Sequence, residues 1–168
     1  MTTTPTTTFT SVTHHETLSQ HRQIINEAAK YNFLHGLGSN LGTIGTIIFK
    51  PLEGRFNGDR EIMNKVDPYC KFKIGFKSEK SAVARGQGNE PMWAGEAVSM
   101  KVKSEEFAKI KIKNKNKGGF DDRIGMAKIP LAKVYKMGKV SEWIPIQKND
   151  ILVGEVLLEM EFIPDVKK

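Results

Sequence analysis

The chain has 168 residues, 39% of them hydrophobic and 27% charged, with a net charge of +7. That length suits one well-packed core plus an extension rather than two full domains, and the apolar content argues against wholesale disorder. A single cysteine, Cys70, excludes an internal disulfide and a cysteine-based zinc site, so a reducing compartment is expected. No apolar run approaches the roughly 20 residues that cross a bilayer. The N-terminus MTTTPTTTFT has neither the charged start and apolar centre of a signal peptide nor the arginines of a mitochondrial leader. These features lead us to expect a soluble, cytoplasmic protein, peripheral on a membrane or associated with an assembly.

In chain order, residues 1–12 form a Thr-rich tail with too little apolar surface to offset its ordering entropy. Residues 13–35 read as an amphipathic helix: Leu18, Ile25, Ala29 and Phe33 share one face, interrupted by Arg22. Thr13 is placed to cap its start, and Gly36 with Gly38 to end it. Such a helix either packs on its own domain or docks a partner. Residues 36–44 form a Gly-rich linker. Over residues 1–44 Arg22 and Lys30 cancel Glu16 and Glu27, so the whole positive excess lies beyond residue 44. A basic domain of this kind attracts anionic surfaces such as acidic lipid, nucleic acid or acidic protein tails.

From Thr46 the apolar period becomes two, first over Thr46–Leu52, then in KFKIGF, AVSMKV, AKIKIK, WIPI and EVLLEMEF. In the last run Val156, Leu158, Met160 and Phe162 alternate with Glu155, Glu159 and Glu161, as in a half-buried antiparallel strand. Short strands at this spacing predict an all-β, eight-stranded antiparallel β-sandwich over residues 45–164, ending in a basic tail at 165–168.

Val66-Asp67-Pro68-Tyr69 resembles the Asp-Pro-Tyr element that opens the second strand of C2 domains. In order around it, GTIIFKPLEG is similar to the first C2 strand, KSAVARGQGNEPMW to the strand and turn ending in Pro-x-Trp, FDDRIGMAKIPL to the Asp-x-Ile-Gly segment and GEVLLEMEF to the closing strand. The run from SAVARGQG through DDRIG onward most resembles small stand-alone C2 proteins of the plant elicitor-responsive type. Trp93-Ala94-Gly95-Glu96 departs from the family's Trp-Asn-Glu, and because the apolar alternation resumes one residue late, a bulge is expected near Gly95.

The resemblance implies a calcium site at one end of the sandwich. Asp67 fits the first-loop aspartate, with Glu61 or Asp59 at its companion position, and Asn114, Asn116 and Asp122 fill the third-loop spacing Asp-x-Asp-x5-Asp. Calcium takes six to eight oxygens, and anionic ligands set much of its affinity. Two of these anions are now neutral amides, and Lys115 and Lys117 interleave them, opposing a cation. The expectation is no cofactor, or weakly bound calcium, with Asp67 and Asp122 fixing loop geometry through backbone amides.

The run AKIKIKNKNKGG sets Lys109, Lys111 and Lys113 on one strand face with Ile110 and Ile112 on the other, and Lys115 and Lys117 continue the row into the loop. Lys71, Lys73, Lys77 and Lys80 form a second cluster after Asp-Pro-Tyr, where the resemblance implies a polybasic lipid-binding patch. Such alternating lysines either bind anions or solubilise an exposed sheet face.

His14, His15, His21 and His35 lack partners at metal-ligand spacing. The GLGSNLG segment lacks the strand and the Gly-Lys-Ser/Thr ending of a phosphate loop. With no Gly-x-Ser-x-Gly elbow and no histidine in the sandwich, no enzyme is expected. The basic strands lack the interleaved aromatics of nucleic-acid platforms. The expected function is therefore a C2-type module docking to anionic phospholipid through its lysines. The alternative is a structural or adaptor subunit of a larger, cytoskeletal kind of assembly that uses the helix and the sandwich surface to meet a protein partner.

Overall fold

The computed structural model describes residues 43–58, 66–93 and 95–165. Eight strands follow in order: β1 (Ile44–Phe56), β2 (Pro68–Ile74), β3 (Lys77–Lys80), β4 (Val98–Lys103), β5 (Phe107–Asn114), β6 (Asp122–Pro130), β7 (Lys139–Lys148) and β8 (Ile151–Pro164). A short helix, α1 (Ala132–Met137), joins β6 to β7. The tail, the expected helix over 13–35 with Leu18, Ile25, Ala29 and Phe33, and most of the linker lie outside the described residues. So do Asp59 and Glu61.

All pairings are antiparallel, in the order β3-β2-β5-β6-β7-β8-β1-β4. Met126 opposite Gln147 is the single paired position between β6 and β7. The order therefore folds at this seam into two layers, β3-β2-β5-β6 and β7-β8-β1-β4. Period-two alternation gives each layer one apolar face, and the two faces close on each other. Phe49 of β1 stacks on Phe72 of β2 across the layers, with ring centroids 4.6 Å apart and planes 11° apart. Ile110 and Ile112 of β5 and Leu158 of β8 are fully buried in the same core.

Three register shifts interrupt the ladders, at Pro51/Glu53, Ile112/Lys113 and Ile146/Gln147. None lies near Gly95, contrary to the bulge expected there. Gly95 instead occupies a positive-φ conformation (φ 90) in a turn, closed by the Glu96 N–H bond to the Trp93 carbonyl, before β4 begins. The turn absorbs the late alternation, so β4 pairs with β1 without a shift. The segment ending in Pro-x-Trp begins with the last residue of β3, Lys80, and runs on with an isolated bridge of Met92 to Glu53 and the Gly54 N–H and Phe56 N–H bonds to the Pro91 and Asn89 carbonyls; Trp93, 2% exposed, plugs the core and donates its ring N–H to the Pro68 carbonyl. Trp93 thereby ties this segment to the start of β2.

Candidate functional site: a basic sheet face beside a loop closed by amides

The outer face of the first layer follows from register. Because Phe72 and Ile74 point into the core, Lys71 and Lys73 point out. In β5, Ala108, Ile110 and Ile112 point in and Lys109, Lys111 and Lys113 out. Pairing then sets Lys71 opposite Lys111 and Lys80, and Lys73 opposite Lys109. On the far side Lys109 meets Lys128, and Lys113 meets Arg123. Among the described residues none of these eight side chains has an ion-pair partner; Lys128 lies 3.6 Å from the Phe107 ring centre, and Arg123 contacts the Met126 sulfur at 3.7 Å.

Like charges directly opposed on adjacent strands cost stability. Arg123, Lys128 and Lys148 did not emerge from the sequence as members of this face. Arg123 and Lys128 are an odd number of residues apart, which in a regular strand sends them to opposite faces. The shift at Ile112/Lys113 inserts Ile124 as an extra residue in β6 and brings both to the lysine side. Where β5 and β6 meet the β7–β8 turn, Lys71, Lys111, Lys113, Arg123 and Lys148 surround an open concavity of about 550 Å³ that also has Asp121 and Asp122 on its rim.

Two expected members stand elsewhere. Lys77 pairs with Ile74, off the register of the outward lysines, although it is exposed at the edge. Lys115 does not simply continue the row: its ammonium lies 3.2 Å from Asp121 Oδ1. Lys117 is exposed in the loop.

That loop, between β5 and β6, is closed by a chain of hydrogen bonds. The Asp67 N–H donates to Asn114 Oδ1 at 2.8 Å, and Asn114 Nδ2 donates to Asn116 Oδ1 at 3.0 Å. Asn116 Nδ2 in turn donates to the Phe120 carbonyl at 2.7 Å and to Asp122 Oδ2 at 3.1 Å. Asp67 does accept a backbone amide, Gly86 N–H at 2.7 Å, and Arg85 lies 4.0 Å from its other oxygen. Asp122, by contrast, accepts from a side chain rather than from the backbone.

The backbone anchor is the neighbouring residue, Asp121, which the third-loop spacing passes over. It accepts the Tyr69 hydroxyl at 2.9 Å and the Asn116 N–H at 3.1 Å. These bonds and Lys115 hold its carboxyl below the usual carboxylate range. Burial, and then the facing Asp121, push Tyr69 up to about 12. Its sequence signal was Asp121-Asp122, two acids where the spacing asked for one.

Of the expected calcium ligands among the described residues, only Asp67 and Asp122 carry charge, Asn114 and Asn116 being neutral amides; Asp59 and Glu61 lie outside those residues. The oxygens of Asn114 and Asn116 already accept N–H donors, and Asp67 is engaged by Gly86 and Arg85. Among the described residues no three His, Cys, Asp or Glu side chains are grouped to hold a metal. Loop closure that calcium would otherwise supply by drawing in six to eight oxygens is supplied here by amide donors.

An antiparallel two-layer sandwich with a loop constellation at the end of β5 and a basic outer face on β2 and β5 is the architecture of a C2 domain. The chain belongs to the C2 domain family, whose model matches residues 46–146. It is 30% identical over 107 residues to 16 kDa phloem protein 2 of Arabidopsis thaliana, covering 63% of this chain and 73% of that protein. It is 28% identical over 101 residues to Elicitor-responsive protein 3 of rice (Oryza sativa subsp. japonica), covering 60% and 70%. A solved C2 domain-containing protein from an elicitor-responsive gene superposes with a TM-score of 0.66 at 28% identity, covering 78% of this chain and 98% of that one. No helix among the described residues is long and apolar enough to cross a membrane.

Proposed function

We propose that this C2 domain is a non-enzymatic module that docks to anionic phospholipid through the outer face of β2, β5 and β6, without needing calcium. One observation carries the reading: register sets Lys71, Lys73, Lys80, Lys109, Lys111, Lys113, Arg123 and Lys128 on one sheet face, and among the described residues no carboxylate is paired to any of them. A solubilising face gains nothing from lysines directly opposed to lysines, because mixed signs solubilise as well without the repulsion. An anionic surface, in contrast, rewards the arrangement by on the order of 1 kcal/mol for each lysine near it. Calcium independence is supported by the loop, whose amides occupy the oxygens a cation would use. The assembly-subunit alternative rests on the segment 13–35, outside the described residues.

The test is sedimentation of the full chain with phosphatidylcholine vesicles carrying increasing phosphatidylserine, in calcium and in chelator. Binding should rise with the anionic fraction, weaken with salt over the Debye-screening range and be the same in both media. Abolition by chelator would restore a calcium mechanism. Indifference to anionic vesicles would remove the lipid reading and leave protein docking.

A further inference from the structure

Two phenylalanines on this domain have no business in water. Phe76 and Phe120 are 104% and 99% exposed, whereas the next most exposed large hydrophobic residue described, Ile151, is 67% exposed. Scattered apolar residues on a surface need no explanation. These two are not scattered: they stand at opposite ends of the same basic strip. Phe76 is in the two-residue turn after Ile74, between β2 and β3, and Phe120 is in the loop after Asn114, between β5 and β6. Since Pro68 pairs with Asn114 and Lys73 with Lys109, the length of β2 separates them. The seven residues of β2, at about 3.3 Å each, set the two turns roughly 20 Å apart with the lysines between.

Both are held rather than loose. Gly75, at φ 54, lets the chain reverse in two residues, and the Ile74–Lys77 pair closes the turn behind Phe76. Asn116 Nδ2 holds the Phe120 carbonyl at 2.7 Å, and Asp121 next to it is fixed by Tyr69 and the Asn116 N–H. The loop amides thus hold Phe120 in place through side-chain and backbone hydrogen bonds. Around the two rings cations outnumber unpaired acids: Lys77 adjoins Phe76, with the Glu105 carboxylate also beside that turn, 3.9 Å from where a Cβ on Gly75 would stand, and Lys117 and Arg123 flank Phe120, against the exposed Asp122 and the Lys115-paired Asp121.

The geometry points to a side-lying membrane contact, in which Phe76 and Phe120 both enter the headgroup boundary and the long axis of β2 and β5 lies parallel to the bilayer. This inference rests on the lipid reading above and adds the orientation and the two anchors. An aromatic ring at each end, with lysines between, matches a surface that is apolar just beneath an anionic layer, and two anchors fix an axis where one leaves it free. A loop-first approach would immerse Phe120 and leave Phe76 roughly 20 Å away in water.

The experiment uses the full chain with a nitroxide attached at Phe76→Cys or at Phe120→Cys. Labelling is selective because Cys70 is completely buried and its thiol is pushed up by that burial. On phosphatidylserine-containing vesicles, both labels should gain oxygen accessibility and lose accessibility to a water-soluble nickel complex. Phe76→Ala and Phe120→Ala should each weaken vesicle binding by roughly five- to tenfold. Immersion of the Phe120 label alone would overturn the side-lying contact in favour of a loop-first one. Immersion of neither, with sedimentation intact, would overturn both anchors and leave an electrostatic lysine face. Failure of the unsubstituted chain to sediment would remove the lipid reading itself.

Discussion

The two outer faces of the sandwich are built by the same alternation and come out opposite in charge economy. On the first layer, lysine faces lysine across β3, β2, β5 and β6. On the second, β8 contributes Glu155, Glu159 and Glu161 to its outward positions, and these meet cations from its neighbours. Lys50 of β1 lies 3.0 Å from Glu159 and 3.5 Å from Glu161, and Lys139 of β7 lies 3.1 Å from Glu159. Arg55 lies 3.9 Å from Glu155, 3.0 Å from Glu53 and 4.1 Å from the centre of the Trp143 ring. A net charge of +7 therefore describes neither face. Strand register decides which cations are neutralised inside the molecule and which remain to act on something outside it.

The largest expected effect comes from breaking the unneutralised face. Lys109→Glu/Lys111→Glu/Lys113→Glu should lose at least ~3 kcal/mol of attraction to acidic vesicles, about 100-fold in partitioning. The same variant should keep or raise the urea midpoint, because it removes like-charge pairs with Lys71, Lys73, Lys128 and Arg123. Unchanged vesicle binding would detach the face from lipid.

The seam joining the layers is the next point of attack. A Cβ on Gly125 would lie 2.6 Å from Ile146 Cγ2, 2.8 Å from Val153 Cγ2 and 3.1 Å from the Gln147 carbonyl. Gly125→Ala should cost about 1–3 kcal/mol of stability in chemical denaturation. Gly118→Ala, with nothing within 4 Å, should cost far less. Equal losses would mean that the seam is not closely packed.

A smaller effect separates the loop from both faces by pH. The folded Asp121 carboxyl titrates below the ordinary 3.8, so its contribution to closure is whole above that value and lost as pH falls through the lower folded one. Tyr69 runs the other way. Raised from 10.0 to about 12, its phenol adds stability that is whole below 10.0 and lost as pH climbs to about 12. Asp121→Asn should flatten the acid limb of thermal melts and bring the Tyr69 titration part of the way back toward 10.0, burial holding the rest. An unaltered tyrosine titration would sink this coupling.

Smallest is the paired face itself. Glu159→Gln unlinks Lys50 and Lys139, and a modest, salt-sensitive drop in melting temperature is expected. It should also make Lys139 available to acidic vesicles, while Lys50 keeps Glu161 at 3.5 Å, blunting the contrast between the faces. A drop as large as that of Gly125→Ala would mean the ion pairs carry more of the fold than exposed pairs ordinarily do.

Much of this molecule is legible along the chain because period two is local. Ile110 and Ile112 announce an inward face, and Lys109, Lys111 and Lys113 the outward one, before any partner strand is known. What stays hidden depends on pairing. Arg123 joins the lysine face only through the extra residue in β6, and β3, Lys77–Lys80, has no apolar residue to mark it. Asp121 outweighs Asp122 in the loop because Tyr69, distant in sequence, reaches it across the sandwich end. The turn at Gly95 took up a residue that alternation alone had suggested would bulge a strand. The loop asparagines are visible in the sequence as lost anions; their role in closing the loop is not, because Asn114 accepts from the Asp67 N–H and Asn116 donates to Phe120 and Asp122 only once the fold brings these together.

The two ends of the strand order also bear on how copies of this domain tolerate one another. β3 closes one edge with four exposed residues, Lys77, Ser78, Glu79 and Lys80, and β4 closes the other with Lys101 and Lys103 pointing outward. A strand that short and that charged is a poor template for a second sheet, since an antiparallel copy of β3 would set Lys77 against Lys80 at both ends. Molecules gathered densely on one surface are thus kept from zipping edge to edge into fibres, and the domain can be concentrated without being polymerised.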